Sequence, residues 1–434
     1  MKCVIAAMTL MLAALPATAA PLSAAEKRMV ATVTAEQPRS LALLERLVNQ
    51  NSGSLNLAGV EKVGQMIRAE LEPLGFTVRW IPLRETGRAG HLVAHHAGRG
   101  RKMLLIGHLD TVFELDSPFQ RWQREGNAGH GPGASDDKGG DVVMIAALRA
   151  MQAAGTLKGA DITVFLTGDE EDSGTPLDVA RRDLIAAGKA ADVALDFEGL
   201  SQSDSGADMG AIARRGAMGW TVKVSARPGH SSGIFSAAAG NGAAYELARI
   251  ADAFRRQLTD DKLTYNIGLM AAGTTAALDA DRIRLTATGK TNIIPADGVM
   301  RGDLRALTPD QVTRTQAKMR EIVAQPLPGA TSSISFDEDA YPPMAPTAGN
   351  RALLDRLNAV NVSLGLPSQV AVDPLRRGAG DISFVAADVD GLVGLGPAST
   401  GDHTAAETVD IASLWRQATR AAILMSRLSK EQAR

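Results

Sequence analysis

The sequence predicts an α/β protein in which a mainly parallel sheet, covered by helices on both faces, is interrupted by a smaller α+β insert of ferredoxin-like plan. Three observations carry this. Up to residue 211, strand-like runs are apolar almost without a break and interleave with helical stretches, the pattern of strands buried on both faces. Between residues 212 and 340 the strand-like runs alternate apolar with polar, the pattern of a sheet with one open face. From residue 341 the buried pattern returns. A chain of 434 residues suits two or three cores. The expected organisation is a signal over 1–20, the first part of a main domain over 21–211, an insert over 212–340 and the second part of the main domain over 341–434.

Taken in order, Leu41 to Val48 and Val60 to Leu71 place apolar residues three and four apart and predict helices, and Phe76 to Trp80 alternates as a strand. Lys102 to Gly107 and Ile162 to Leu166 read as buried strands, with the nearly all-apolar helix Val142 to Met151 between them and a further strand over Ala191 to Phe197. In the insert, Trp220 to Val224 predicts a half-exposed strand, Ala237 to Leu258 a long helix, and Ile283 to Thr288 and Met300 to Leu304 two more strands. A helix over Gln311 to Val323 and a strand over Ser332 to Phe336 complete a strand, helix, strand, strand, helix, strand unit. Tyr341-Pro342-Pro343 marks the return hinge, Gly391 to Leu395 a strand, and Ile411 to Leu428 a closing helix.

Charge and cysteine usage exclude several classes. The formal net charge is -2, which supplies no general basic field for nucleic acid or an anionic membrane surface. Lys2, the apolar run Val4 to Leu15 and the small residues Ala17-Thr18-Ala19 read as a secretory signal, and the run is too short for a membrane span. The only cysteine, Cys3, lies inside that signal, so the mature chain is expected to be free of disulfides and secreted, into a bacterial periplasm.

Seven residues at the ends of these elements carry chemistry: His108, Asp110, Asp136, Glu170, Glu171, Glu198 and His403. His108 and Asp110 follow a buried strand, and two residues apart in extended chain they point the same way, so Asp110 can hold the His108 ring. Asp136 lies in the glycine-rich loop Gly131 to Gly140 and can offer both oxygens as a bridge between two ions, although an aspartate there can also be a solvated helix cap. Asp169-Glu170-Glu171-Asp172 stacks four acids directly after a buried strand, where like charges repel unless cations lie among them. One glutamate can bind metal while its neighbour takes a proton from water. Glu198 ends the next strand, and His403 in Gly401 to Glu407 adds a second imidazole. His91, His95, His96 and His130 lack such context and are read as surface or loop residues.

In this order the motifs resemble the M20 family of metallopeptidases, in particular its glutamate carboxypeptidase type. The matching segments are Gly107 to Val112, Gly133 to Gly140, Asp169 to Glu171, Phe197-Glu198 and the His403 loop, and the likeness covers nearly the whole mature chain. It implies a zinc exopeptidase-like fold and two Zn²⁺ per subunit, with manganese or cobalt compatible with the same ligand types. His108 and Glu198 would hold one ion, Glu171 and His403 the other, with Asp136 bridging, Asp110 orienting His108 and Glu170 as general base. The Asp136-Asp137 peptide is often cis in the family. The insert resembles a lid or dimerisation domain in which His230 reaches the active site of the partner in a homodimer, and Asn292 and Arg305 hold a substrate carboxylate. Gly380-Asp381 matches a glycine-rich substrate loop, but Arg376-Arg377-Gly378-Ala379 before it is less glycine-rich than the resemblance implies, so the side-chain preference does not carry over. The expected substrate is a small peptide or N-acyl amino acid; carboxypeptidase, dipeptidase and N-acyl amino acid deacylase share these ligands.

A serine hydrolase is the rival reading. Gly229-His230-Ser231-Ser232-Gly233 is a G-x-S-x-G string, with Asp381 and His403 following in triad order. An elbow strand should be apolar throughout, whereas Thr221, Lys223 and Ser225 alternate outward and Arg227-Pro228 break the approach. That reading also leaves five acids unexplained.

Overall fold

The computed structural model describes residues 21–432; the expected signal lies outside them. α1 (Ala24–Ala35) starts from a capping box formed by Ser23 and Glu26. α2 (Gln37–Val48), α3 (Leu57–Leu71), β1 (Thr77–Pro82), β2 (Gly90–His96) and β3 (Lys102–His108) follow, then α4 (Lys138–Ala153), β4 (Asp161–Thr167), α5 (Leu177–Ala190) and β5 (Val193–Asp196). The insert consists of β6 (Met218–Ala226), α6 (Gly242–Gln257), β7 (Thr264–Gly273), β8 (Asp297–Arg305), α7 (Pro309–Val323) and β9 (Ala330–Phe336). The chain returns through α8 (Ala348–Ser363), β10 (Gly391–Leu392) and α9 (Ile411–Leu428).

The main sheet has the order β1-β2-β4-β3-β5-β10. β4, β3, β5 and β10 are parallel, and β1 and β2 add an antiparallel edge. Alternate residues of β3 go to opposite faces. Met103 and Leu105 join the core under α4 and α9, while Leu104 and Ile106 join one containing Leu184 of α5 with Ile382 and Val385. Both faces are therefore dry, which is why these strands are apolar without a break. The carboxyl ends of β3, β4 and β5 share one edge, the place where ligands gather in such sheets.

The insert sheet has the order β7-β8-β6-β9, every neighbour antiparallel. Trp220, Val222 and Val224 pack under Leu247, Ile250 and Phe254 of α6 and Met319 and Ile322 of α7. The other sheet face stays polar and looks across a cleft of about 1060 Å³ toward Thr175 to Asp178 of the main domain. Two chain segments connect the insert to the main domain side by side, bridged at Arg214 with Met344 and at Ala217 with Tyr341. Among the described residues no helix is long and apolar enough to cross a membrane.

Three expectations are corrected. Ile283 to Thr288 does not enter the insert sheet: Leu285–Thr288 pairs only with Thr275–Leu278 as an exposed ribbon, and β7 takes the sheet position. The helix expected from Ala237 begins at Gly242, because Gly240 and Gly242 both adopt φ of 75°, outside the helical region. His91 is fully buried because β2 lies inside the sheet, and its Nε2 bonds the Ala180 carbonyl at 2.8 Å. His96 and His130 are half-buried on short hydrogen-bonded strand ends, and only His95 among the four is exposed.

Candidate functional site

Six of the seven acidic and histidine residues converge at the carboxyl edge of the main sheet. His108, the last residue of β3, lies with Glu170 and Glu198 in one group and with Asp136 and Glu171 in another, each group offering ligand atoms within 4.8 Å of one another. Asp136 faces two imidazoles with its two oxygens: His108 Nε2 lies 3.0 Å from Oδ1 and His403 Nε2 lies 2.9 Å from Oδ2. His403 Nε2 is also 3.2 Å from Glu171 Oε2. Glu170 and Glu171 thus serve opposite sides of the cluster. The peptide between Asp136 and Asp137 is cis.

The seventh residue, Asp110, stands behind the others. Its Oδ1 is 3.5 Å from His108 Nδ1 and accepts the Glu170 backbone N–H at 3.0 Å, while its Oδ2 accepts the Glu171 N–H at 3.1 Å and the Ser54 hydroxyl at 2.6 Å. One carboxylate therefore fixes the imidazole and the acidic turn together.

The electrostatics call for cations. Burial, followed by the charge of Glu198, pushes the Glu170 carboxyl well above the usual range. Burial pushes Glu171 up to about 7, and hydrogen bonds to Asp136 and then Glu171 raise the His403 imidazole to about 11. Burial would raise Asp136 too, but its bonds to His108 and His403 outweigh this and hold it low. Glu171 Oε1 is buried with no hydrogen-bond partner among the described residues. Two imidazoles on one carboxylate, flanked by further carboxylates with free oxygens, fit divalent ions held by nitrogen and oxygen.

Sequence reasoning missed several residues around this cluster. Glu407 accepts N–H groups from Gly133, Ser135 and Asp136 at 3.0–3.3 Å, tying the His403 loop to the Asp136 loop. Gly133, at φ 74°, makes the turn that permits this. Glu407's presence in the His403 segment was the only available signal. Arg214 Nη1 lies 3.0 Å from Glu198 Oε2 and its Nε donates to the Gly378 carbonyl at 2.7 Å. A side chain at Gly380 would meet Arg214 Nη1 at 2.3 Å, so glycine there leaves room for the guanidinium. Arg377 also approaches Glu198 Oε2, at 3.5 Å.

Tyr341, expected only as a hinge, reaches under the acidic turn. Its hydroxyl donates to the Glu170 carbonyl at 2.9 Å and lies 2.7 Å from Ser173 Oγ and 3.1 Å from Arg181 Nη2. Arg181 is fully buried and pairs with Asp169 at 2.6 Å and Asp381 at 2.9 Å.

The insert residues lie elsewhere. His230 is exposed and bonds Ser232 Oγ at 2.8 Å, and Asn292 is an exposed loop residue whose carbonyl accepts the Ser231 N–H. Arg305, at the end of β8, pairs with Asp303 at 3.0 Å and places Nη1 within 3.9 Å of the side-chain position of Gly378. The serine-hydrolase triad does not assemble among the described residues. His403 is engaged by Asp136 and Glu171, Asp381 by Arg181 and Thr167, and Ser231 carries no bond to either.

Residues 104–427 match the model of Peptidase family M20/M25/M40. Carboxypeptidase G2 of Pseudomonas sp. (strain RS-16) is 29% identical over 405 residues, 90% of this chain and 90% of that protein. A succinyl-diaminopimelate desuccinylase of Rhodospirillum centenum is 28% identical over 270 residues, 60% of this chain and 66% of that protein. Among solved structures, a tripeptidase from Staphylococcus aureus aligns with a TM-score of 0.71 at 18% identity over 91% of this chain and 99% of that one. An M20 family metallo-carboxypeptidase from Sulfolobus solfataricus aligns at 0.63, with 15% identity over 90% and 99%. At these identities the structural likenesses speak for the fold.

Proposed function

Because the chain belongs to peptidase family M20/M25/M40, we propose that it is a dizinc hydrolase that cleaves an amide bond and releases the C-terminal amino acid of a small peptide or N-acyl amino acid, with glutamate as one candidate. The observation that carries this reading is Asp136, each of whose oxygens faces a different imidazole, with Glu198 and Glu171 at the two outer corners. His108 and Glu198 would hold one ion and Glu171 and His403 the other, with Asp136 between. When bound, such ions supply Lewis-acid polarisation of a carbonyl and make a coordinated water acidic near neutral pH.

The chain's own residues do the rest. Glu170, half-buried beside this centre, takes the water proton and returns it to the leaving nitrogen. Asp110 keeps His108 and the Glu170 backbone in register. Arg305 and Asn292 hold the carboxylate of the departing residue, Arg305 through its planar fork. Gly380, on the loop read as lining the substrate, leaves room for Arg214 beside Glu198. The exposed His230 contacts no member of the cluster in its own chain, which suits a homodimer in which His230 of the partner subunit polarises the scissile carbonyl. The reading of residues 1–20 as a signal supports a location in the bacterial periplasm.

Within this reading, deacylation of N-acyl amino acids rather than cleavage of peptides is favoured by the likeness to a succinyl-diaminopimelate desuccinylase. A panel of dipeptides and N-acyl amino acids with varied C-terminal residues, offered to the metal-loaded protein, separates the two. Release of the free C-terminal amino acid that stops on chelation is expected. Turnover that survives chelation and yields to a serine-directed phosphonate contradicts both. In the same assay Tyr341→Phe is expected to lower kcat about threefold to tenfold with KM little changed, since one neutral hydrogen bond to the Glu170 turn is worth ~0.5–1.5 kcal/mol. A change confined to KM would contradict a positioning role.

A further inference from the structure

Arg377 is a guanidinium without adequate partners. Its side chain is only 16% exposed, and among the described residues its Nε is enclosed with no hydrogen-bond partner and its one close anion, Glu198 Oε2, stands at 3.5 Å, beyond good hydrogen-bond distance. Glu198 cannot serve it fully, because Arg214 already holds the same oxygen at 3.0 Å and Glu198 belongs to the candidate metal set. A buried, poorly bonded cation is expensive unless an anion completes it. The neighbouring arginines are provided for. Arg214 donates to the Gly378 carbonyl through Nε and ion-pairs with Glu198, Arg305 pairs with Asp303, and Arg376 turns outward to the Gln202 carbonyl at 3.0 Å.

Arg377 and Arg305 both border Gly378, from opposite sources: one on the substrate loop, the other on the insert. We propose that Arg377 forms a second carboxylate-binding position beside the Glu198 corner, separate from Arg305, so that the preferred substrate carries two carboxylates. This rests on the amide-hydrolase reading above. The planar fork of arginine suits a carboxylate through two parallel bonds. The second carboxylate belongs either to the side chain of the departing amino acid or to the acyl group. Both present the same chemistry to Arg377.

The test uses the metal-loaded full chain and its Arg377→Met and Arg377→Lys variants with two substrate pairs. N-acetylglutamate against N-acetylglutamine probes the departing side, and N-succinylalanine against N-butyrylalanine probes the acyl side. The wild type is expected to prefer the dicarboxylic member of one pair by about tenfold or more in kcat/KM; Arg377→Met loses that preference and Arg377→Lys keeps part of it. No preference in either pair, or an equal loss on all four substrates in Arg377→Met, overturns the proposal. Calorimetric binding of glutarate against butyrate gives a readout without turnover, in which Arg377→Met should weaken glutarate selectively. Selective glutarate binding without hydrolysis would sink the hydrolase reading and keep this site. Hydrolysis with unchanged selectivity in Arg377→Met would do the reverse.

Discussion

Glu170→Gln is expected to lower kcat by about 10²–10⁴ while the protein keeps the metal content of the wild type. General-base catalysis is worth about that much, and glutamine keeps the shape of the side chain while losing the basic oxygen. The metal measurement decides between two roles, because Glu170 offers an oxygen within 4.8 Å of His108 and Glu198 and so has the position of a ligand as well. If Glu170 were a ligand in place of Glu171, the variant would lose metal and activity together. Glu171→Gln is expected to show that second pattern, since Glu171 shares His403 Nε2 with Asp136.

Arg181→Met is expected to destabilise the chelator-treated protein by about 3–5 kcal/mol, the cost of stranding buried charge. Arg181 is fully buried and holds Asp169, also fully buried, and Asp381, which is 3% exposed. Removing it leaves two carboxylates facing each other in a dry interior. Adding Asp381→Asn to the variant removes one stranded charge and should recover part of the loss, a coupling that two independent sites would not show. Urea unfolding checks both, and a loss below about 1 kcal/mol would contradict the structural weight given to this pair. The same network holds the acidic turn, so kcat should fall as well.

The main sheet was legible because its strands are dry on both faces and read as uninterrupted apolar runs, and α9 matches its expected span of Ile411 to Leu428. β7 was not. Its burial alternates from Thr264 to Ala271, but Gly268 sits at a register shift between Ile267 and Leu269 and Met270 is an exposed apolar residue, while the exposed ribbon at Leu285–Thr288 alternates without belonging to the sheet. His91 looked like a surface residue because one histidine says nothing about its strand's place in the sheet. The ordered series from His108 to His403 was legible because each member follows an element end. Arg214, Arg377 and Glu407 were not, since their roles arise from loops far apart in sequence that meet only in the fold. The departure of the Arg376 to Ala379 segment from a glycine-rich loop was visible, and the structure gives it a physical content in Arg377.

The most direct test of a dinuclear hydrolase centre is to strip the full chain with a chelator and return zinc stepwise while following release of the C-terminal amino acid. No release from the stripped protein is expected, then a rise that levels off at two ions per chain, with His403→Ala levelling off lower. Full activity in the stripped protein, or a rise indifferent to His403, would contradict such a centre.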